Sequence, residues 1–463
     1  MTVYYVDATG GSDAAAGTSE AAAWKTVSKV NGETFLPADV VLFKPGEVWA
    51  ENLVIPSSGN SSDPIIFGAY GTGARPILGT TGDAIFGNGK DWITVEDLAA
   101  SNWTNRGIWN QNGDGWTIQR NTVAGGNAVN PVHGIRCNTT GGNITNISIR
   151  DNTVGAISSV NNDSINRVGI LAQGTTGAII RGNNIATTNV SSIWLGSSGV
   201  DNVVERNDIH DGYGGGITID AQTRCVARYN EIHDLAGLGI GFNNGSSDTE
   251  LYYNVIHDLT DTTVTWNGID INNSAAGGVC HNNTVYAVFR HCFVIDGDST
   301  DWVVKNNIFD ASAGTTSGAH GFGDLRIIGI GNRDEAGNTG FIEDNNLVLK
   351  HASWDYYGAS GAGDGTLQTL AAWRAASSNG ANSIAGDPLF VSASDFRLRA
   401  LSPAIDAGVS VGLLIDFDDE RVSAATPDMG AYEHGLTEAA REDLATMGGL
   451  GGVSTTLKSK WGA

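Results

Sequence analysis

The chain has 463 residues, with 63 Gly, only 9 Pro and 41% hydrophobic residues, a turn-dense and strand-rich composition that excludes a disordered chain and leaves enough apolar side chains for a large core. Its 26 Lys+Arg against 50 Asp+Glu give a formal charge of −24, which opposes binding to nucleic acid or to an anionic membrane surface. No apolar run approaches the roughly 20 residues of a membrane span, so no membrane insertion is expected. The start Met1-Thr2-Val3-Tyr4-Tyr5 lacks the basic and apolar regions of a signal peptide.

In chain order, residues 1–36 read as an N-terminal cap: Tyr4-Tyr5-Val6-Asp7, then Gly10-Gly11-Ser12-Asp13 and Trp24-Lys25-Thr26-Val27. A strand follows at Pro37-Ala38-Asp39-Val40-Val41-Leu42-Phe43-Lys44-Pro45-Gly46, with further apolar runs at Ile55-Pro56 and Pro64-Ile65-Ile66-Phe67. From about residue 95 to 350 one phrase recurs: a strand, an Asn turn, a variable loop, then Gly-Ile-x-apolar-x-polar. Such a period signals a solenoid in which each phrase is one coil. The spacing predicts an internal ladder of Asn121, Asn152, Asn183, Asn207, Asn230, Asn254, Asn283, Asn307 and Asn345, because Asn tolerates left-handed backbone and its amide can bond neighbouring coils on both sides.

The Gly-Ile strand places Ile108, Ile135, Ile170, Ile193, Ile217, Ile240, Ile269 and Phe293 in one inward column, with Cys137, Ala172, Leu195, Ile219, Phe242, Ile271 and Ile295 two residues on. The residues between them face outward: Trp109, Arg136, Leu171, Trp194, Thr218, Gly241, Asp270 and Val294, then Gln111, Asn138, Gln173, Gly196, Asp220, Asn243, Asn272 and Asp296. Function is expected on this face, beside a groove walled by insertions such as those between Asn152 and Ile170 and between Asn307 and Leu325. The four cysteines, Cys137, Cys225, Cys280 and Cys292, have no metal-ligand spacing and read as buried free thiols.

Residues 351–435 hold the last coils and a closing segment: Asp387-Pro388-Leu389-Phe390, Ser402-Pro403-Ala404-Ile405-Asp406-Ala407-Gly408 and Asp428-Met429-Gly430-Ala431-Tyr432-Glu433. Residues 436–463 read as a short helical pattern and a Gly-rich tail. The opening and closing phrases together resemble those of right-handed parallel β-helix proteins of the pectate-lyase-like superfamily, over roughly residues 3–435. That resemblance implies an all-β, single-stranded right-handed parallel β-helix. The superfamily spans polysaccharide lyases, glycoside hydrolases, uronan epimerases, phage tailspikes and non-catalytic surface proteins, so the implied partner is a polysaccharide and the implied location is extracellular, secreted or virion-associated, as a monomer or homotrimer.

Outward carboxylates supply the candidate chemistry. Asp270 and Asp296 are expected on adjacent coils, offset by two residues, which separates their backbones by roughly 8 Å, within the roughly 6.5–9.5 Å between the acid and base of an inverting glycosidase. Asp220, one further coil away, would position water or sugar. Asn267-Gly268-Ile269-Asp270 resembles the Asp-bearing strand of polygalacturonase-type hydrolases, and His320-Gly321 and Arg326 resemble that family's later elements. The doubled Asp of that family is missing after position 270, so its catalytic set does not carry over whole. With Leu325 in the inward column, Arg326 would face outward beside Asp296.

Trp109 and Trp194 are candidate stacking platforms for sugar rings, and Arg136, Asn243, Asn272, Arg290 and His291 candidate substrate contacts. The alternatives are a lyase or epimerase using Arg or His, with Ca²⁺ bound among the Asp residues, and a pure glycan-binding protein; hydrolysis needs no cofactor. Lysine is absent between Lys90 and Lys305, which counts against the lyase. A His-Asp stack at His210-Asp211, His233-Asp234 and His257-Asp258 reads as solenoid regularity, with metal binding as its functional alternative.

Overall fold

The computed structural model describes residues 1–125, 132–155, 157, 167–186, 188, 190–259, 267–288, 291–295, 299–312, 326–330, 340–349, 355–359 and 367–435. Three sheets of 13 strands each run the length of the described chain. In a representative coil Thr117–Gln119 belongs to the first sheet, Thr122–Ala124 to the second and Val132–Asn138 to the third, and the next coil repeats them at Ser148–Arg150, Thr153–Gly155 and Arg167–Gln173. The coils pair in parallel register throughout the body, as between Ile108 and Ile135, Ile135 and Ile170, and Ile170 and Ile193. These isoleucines are fully buried, as are Ile217, Ile240, Ile269 and Phe293. The chain is an all-β parallel solenoid, with the core inside the triangular coil.

The Gly of the Gly-Ile phrase marks a close approach of backbones. A Cβ added at Gly134 would lie 2.6 Å from the Gly169 carbonyl oxygen, at Gly169 2.6 Å from Ser192 O, at Gly216 2.6 Å from Gly239 O, and at Gly239 2.2 Å from Gly268 O. The small residues Ser192 and Cys292 take the same place in their coils and are buried. Overpacking at such a site typically costs about 1–3 kcal/mol. We therefore expect Gly239→Val, which would also meet Ile256 Cγ2 at 2.8 Å, to lower the unfolding free energy by at least that much in denaturant titration. An unchanged midpoint would mean that the coils can part without cost.

The corner between the first and second sheets carries the Asn ladder. Each Asn donates its Nδ2 to a carbonyl of the preceding coil and to the Oδ1 of the next Asn, while that Oδ1 also accepts the backbone N–H: Asn152 Nδ2 reaches Ile118 O at 2.9 Å and Asn183 Oδ1 at 3.0 Å, and Asn152 N reaches Asn183 Oδ1 at 3.1 Å. The last rung is Asn346 and not Asn345, since Asn307 N donates to Asn346 Oδ1 at 2.8 Å. The left-handed residue is also not the ladder Asn but the one before it: Arg120, Asp151, Arg206, Tyr229, Tyr253, Asn282, Asn306 and Asn345 have φ between 52° and 58°. The ladder selects Asn for its amide alone.

Both ends are covered. Val27–Asn31, a short helix capped by the Thr26 side chain, buries Val27 and Val30 beside Trp24 and Phe35 at the N-terminal end. The helix Leu370–Ser377 buries Leu370 and Trp373 at the other end. Beyond it the chain does not continue as a cap but doubles back along the corner between the first and second sheets. Gly430 N donates to Asn306 O at 2.7 Å, Ala431 N to Thr284 Oγ1 at 2.9 Å and Tyr229 Oη to Ile415 O at 3.2 Å. This return leaves the outer face of the third sheet uncovered by the closing segment. The four cysteines are free and buried, and burial pushes the Cys137 thiol up to about 12. Residues 436–463 and the insertions at 158–166 and 313–325 lie outside the described residues.

Candidate functional site on the third sheet

Hydrogen-bonded register sets the outer column of the third sheet in line: Trp109 pairs with Arg136, Arg136 with Leu171, Leu171 with Trp194, Trp194 with Thr218, Thr218 with Gly241, Gly241 with Asp270 and Asp270 with Val294. All of these are partly exposed except Leu171 and Gly241, which are buried. With coils ~4.8 Å apart, the column extends over more than ~30 Å, a length suited to an extended ligand.

Near the N-terminal end the face is cationic and aromatic. Trp109 stacks on Phe86 at 4.5 Å, the Arg106 guanidinium lies over its ring at 3.6 Å, and its Nε1 donates to Asn138 Oδ1 at 2.6 Å. Protein groups thus already meet the indole, so Trp109 is a built part of the face and not the free sugar platform expected from the sequence. Trp194 is half-buried, with no aromatic ring stacked on it among the described residues, so of the two indoles it is the one left as a candidate platform. Arg106 pairs with Asp83 at 3.0 Å, and Arg136 Nη2 donates to Gln173 Oε1 at 3.2 Å. Burial, reinforced by the charges of Arg136 and Arg106, pushes His133 down to about 3, so it stays a neutral imidazole.

Asp83, Arg106 and His133 escaped the sequence reading for a geometric reason. Both Gly107 and Ile108 face the core, since a Cβ on Gly107 would strike Val123 Cγ1 at 2.3 Å and Ile108 is buried. Two successive inward residues break the alternation and turn the residue before Gly outward. Asp83, Arg106, His133, Val168 and Ser191 consequently form a third column on the side away from the core, in register, with Asp83 and Arg106 partly exposed and His133, Val168 and Ser191 buried. The recurrence of a small residue, mostly Gly, directly before the inward Ile was the signal for it.

Farther along, Asp270 Oδ2 accepts from Asn267 Nδ2 at 2.8 Å, and Asn267 lies three residues earlier, just before Gly268. Asp220 accepts from Asn244 Nδ2 at 2.5 Å and pairs in register with Asn243. Because Gly241 of that intervening coil pairs with Asp270, Asp220 is two coils from Asp270 and not one from the pair, so it sits too far for direct work at the same bond. Asn243 and Asn272 are partly exposed on the same edge. His291, like His133, is only 4% exposed.

Asp296, Arg290 and His320 lie outside the described residues. Phe293 pairs with Ile328 and Val294 with Gly329, so Ile328 takes the register position that the sequence reading gave to Leu325. The premise that turned Arg326 outward is removed; its backbone pairs with Asp355.

The histidine stack stands on the second sheet, away from this face. His210 and His233 stack at 5.4 Å, His233 and His257 at 5.0 Å, and His257 meets Phe396 of the returning segment at 4.7 Å. Each Nδ1 bonds to the Asp that follows it, at 2.7–2.8 Å. Among the described residues no group of three or more His, Cys, Asp or Glu is arranged to hold a metal.

The hydrogen bond from Asp208, helped by Asp234 and opposed by burial, raises His233 to about 9. A pKa raised on folding gives stability that is complete below the unfolded value of about 6.5 and is lost as pH rises through about 9. Unfolding free energy measured from pH 6 to pH 10 is therefore expected to decline across that window, and to decline less in His233→Gln. Equal slopes in the two proteins would remove His233 as the cause.

The family described as Right handed beta helix region matches residues 155–309. A lacto-N-biosidase of Bifidobacterium longum subsp. longum is 33% identical over 112 residues, which is 23% of this chain and 7% of that much longer protein. Among solved structures, XylC in complex with xylose superposes with a TM-score of 0.54 at 12% identity, covering 77% of this chain and 85% of that one. Pectate lyase Pel9A superposes at 0.50 and 15% identity, covering 94% and 97%. The parallel register and the repeat agree with the family model over residues 155–309, and the chain has the fold of a right-handed parallel β-helix.

Proposed function

We propose that this protein is a carbohydrate-active enzyme that lays a polysaccharide along the outer face of the third sheet and hydrolyses it, with Asp270 and Asp296 as the acid–base pair. The observation that carries the reading is the outer column in register, in which the half-buried Trp194 and the Asn267-held Asp270 share one face that the closing segment does not cover. Asp296 follows two residues after Val294, the register partner of Asp270. The likeness to a lacto-N-biosidase supports a glycosidic bond as the target.

One carboxyl would protonate the departing oxygen while the other deprotonates water. A second reading, elimination at a uronate, is favoured by the Arg106, His133 and Arg136 group. Product release from neutral and acidic polysaccharides separates the two. New reducing ends without ultraviolet absorbance from unsaturated sugars are expected for hydrolysis, and both signals together would replace it with a lyase.

A further inference from the structure

We infer that the same face carries, remote from Asp270, a subsite for an anionic substituent of the glycan, a carboxylate or a sulfate, seated on Arg136 and bordered by Trp109, Arg106 and His133. The inference rests on the reading of this face as glycan-binding and names the class of glycan it takes. It runs against the overall charge of −24, which on its own favours neutral sugars.

Arg136 is a half-buried cation whose described partners carry no charge to balance it: Gln173 takes one Nη2 bond and the Trp109 ring lies at 6.0 Å. Its Nε is buried without an acceptor among the described residues. The neighbouring carboxylate, Asp83, is committed to Arg106. Burial and the charge of Arg106 lower the proton affinity of Arg136, and the charge of Asp83, which is bonded to Arg106, offsets them only in part. Neutral His133 adds a second buried ring nitrogen, Nδ1, with no acceptor or donor opposite it among the described residues.

An oxyanion with two oxygens side by side answers these deficits together, since a guanidinium takes a carboxylate or sulfate through paired N–H donors. Arg136 stands five coils from Asp270 through Leu171, Trp194, Thr218 and Gly241, or ~24 Å. The subsite therefore grips the chain several sugars from the cleaved bond, and its loss is read as a loss of affinity for the charged polymer.

The test is affinity electrophoresis of the whole protein through gels containing polygalacturonate, its carboxyl-reduced form, dextran sulfate or plain dextran. The parent should be retarded more by a charged polymer than by its neutral counterpart, with retardation fading as salt rises. The polymer that retards it tells carboxylate from sulfate. Arg136→Gln should lose about tenfold or more of that affinity, and Arg136→Lys should recover part of it, with melting curves showing both folded. Equal retardation by charged and neutral polymers, or undiminished binding by Arg136→Gln, would overturn the subsite and leave the glycan-binding face standing. No retardation by any polymer would overturn both.

Discussion

Asp270→Asn should abolish most cleavage while leaving the fold intact. General acid–base catalysis by a positioned carboxyl is typically worth about 10²–10⁴-fold, and the loss should fall on kcat, because the group transfers a proton in the transition state without anchoring the chain. Asn is nearly isosteric with Asp, and its oxygen can still accept the Asn267 Nδ2 bond seen at 2.8 Å, so the melting temperature should barely move. Asp220→Asn makes the internal control: two coils away and bonded to Asn244, it should change activity far less. Trp194→Ala should instead raise KM, since an indole stacked on a sugar ring contributes to ground and transition state alike. Full cleavage by Asp270→Asn would sink the acid–base assignment, and unsaturated products from it would move the chemistry to Arg106, His133 and Arg136.

The fold could be read from the sequence because a solenoid writes its contacts into a period. Once Ile108, Ile135 and Ile170 were aligned, alternation dictated the outer column, and the register of the third sheet follows it from Trp109 to Val294. Reading failed where the period was locally broken. Asn345 and Asn346 are adjacent, and only the hydrogen bond from Asn307 tells which is the rung. At Leu325 and Ile328 two apolar candidates for one inward slot follow a long insertion, and sequence spacing alone had no means of choosing between them. Arg106 and His133 were missed because the doubled inward step at Gly-Ile is a matter of backbone geometry, not of residue type. The site was less legible than the fold for a related reason: Asp270 is set by the repeat, whereas the groups that complete a groove come from loops that obey no period.

Asn230→Ala should be among the most destabilising single substitutions in the chain. Asn230 is fully buried. Its Nδ2 donates to Val204 O at 3.0 Å and to Asn254 Oδ1 at 2.9 Å, and its Oδ1 accepts from Asn207 N at 3.1 Å and from Asn207 Nδ2 at 2.9 Å. Truncation removes all four bonds and leaves the Asn207 backbone N–H in a dry corner with nothing to meet it, where each unsatisfied group costs about 1–3 kcal/mol. A loss of about 3–5 kcal/mol is expected, a large share of the roughly 5–15 kcal/mol that separates most folded domains from unfolding. Because a solenoid is held by contacts between neighbouring coils, the damage should begin locally: hydrogen exchange should quicken first in the strands Asp208–His210, Glu231–His233 and Val255–His257, before the coils at either end. A denaturation midpoint for Asn230→Ala equal to that of the parent would show that the ladder is ornamental, and the recurrence of Asn along the corner would then need a cause other than its amide.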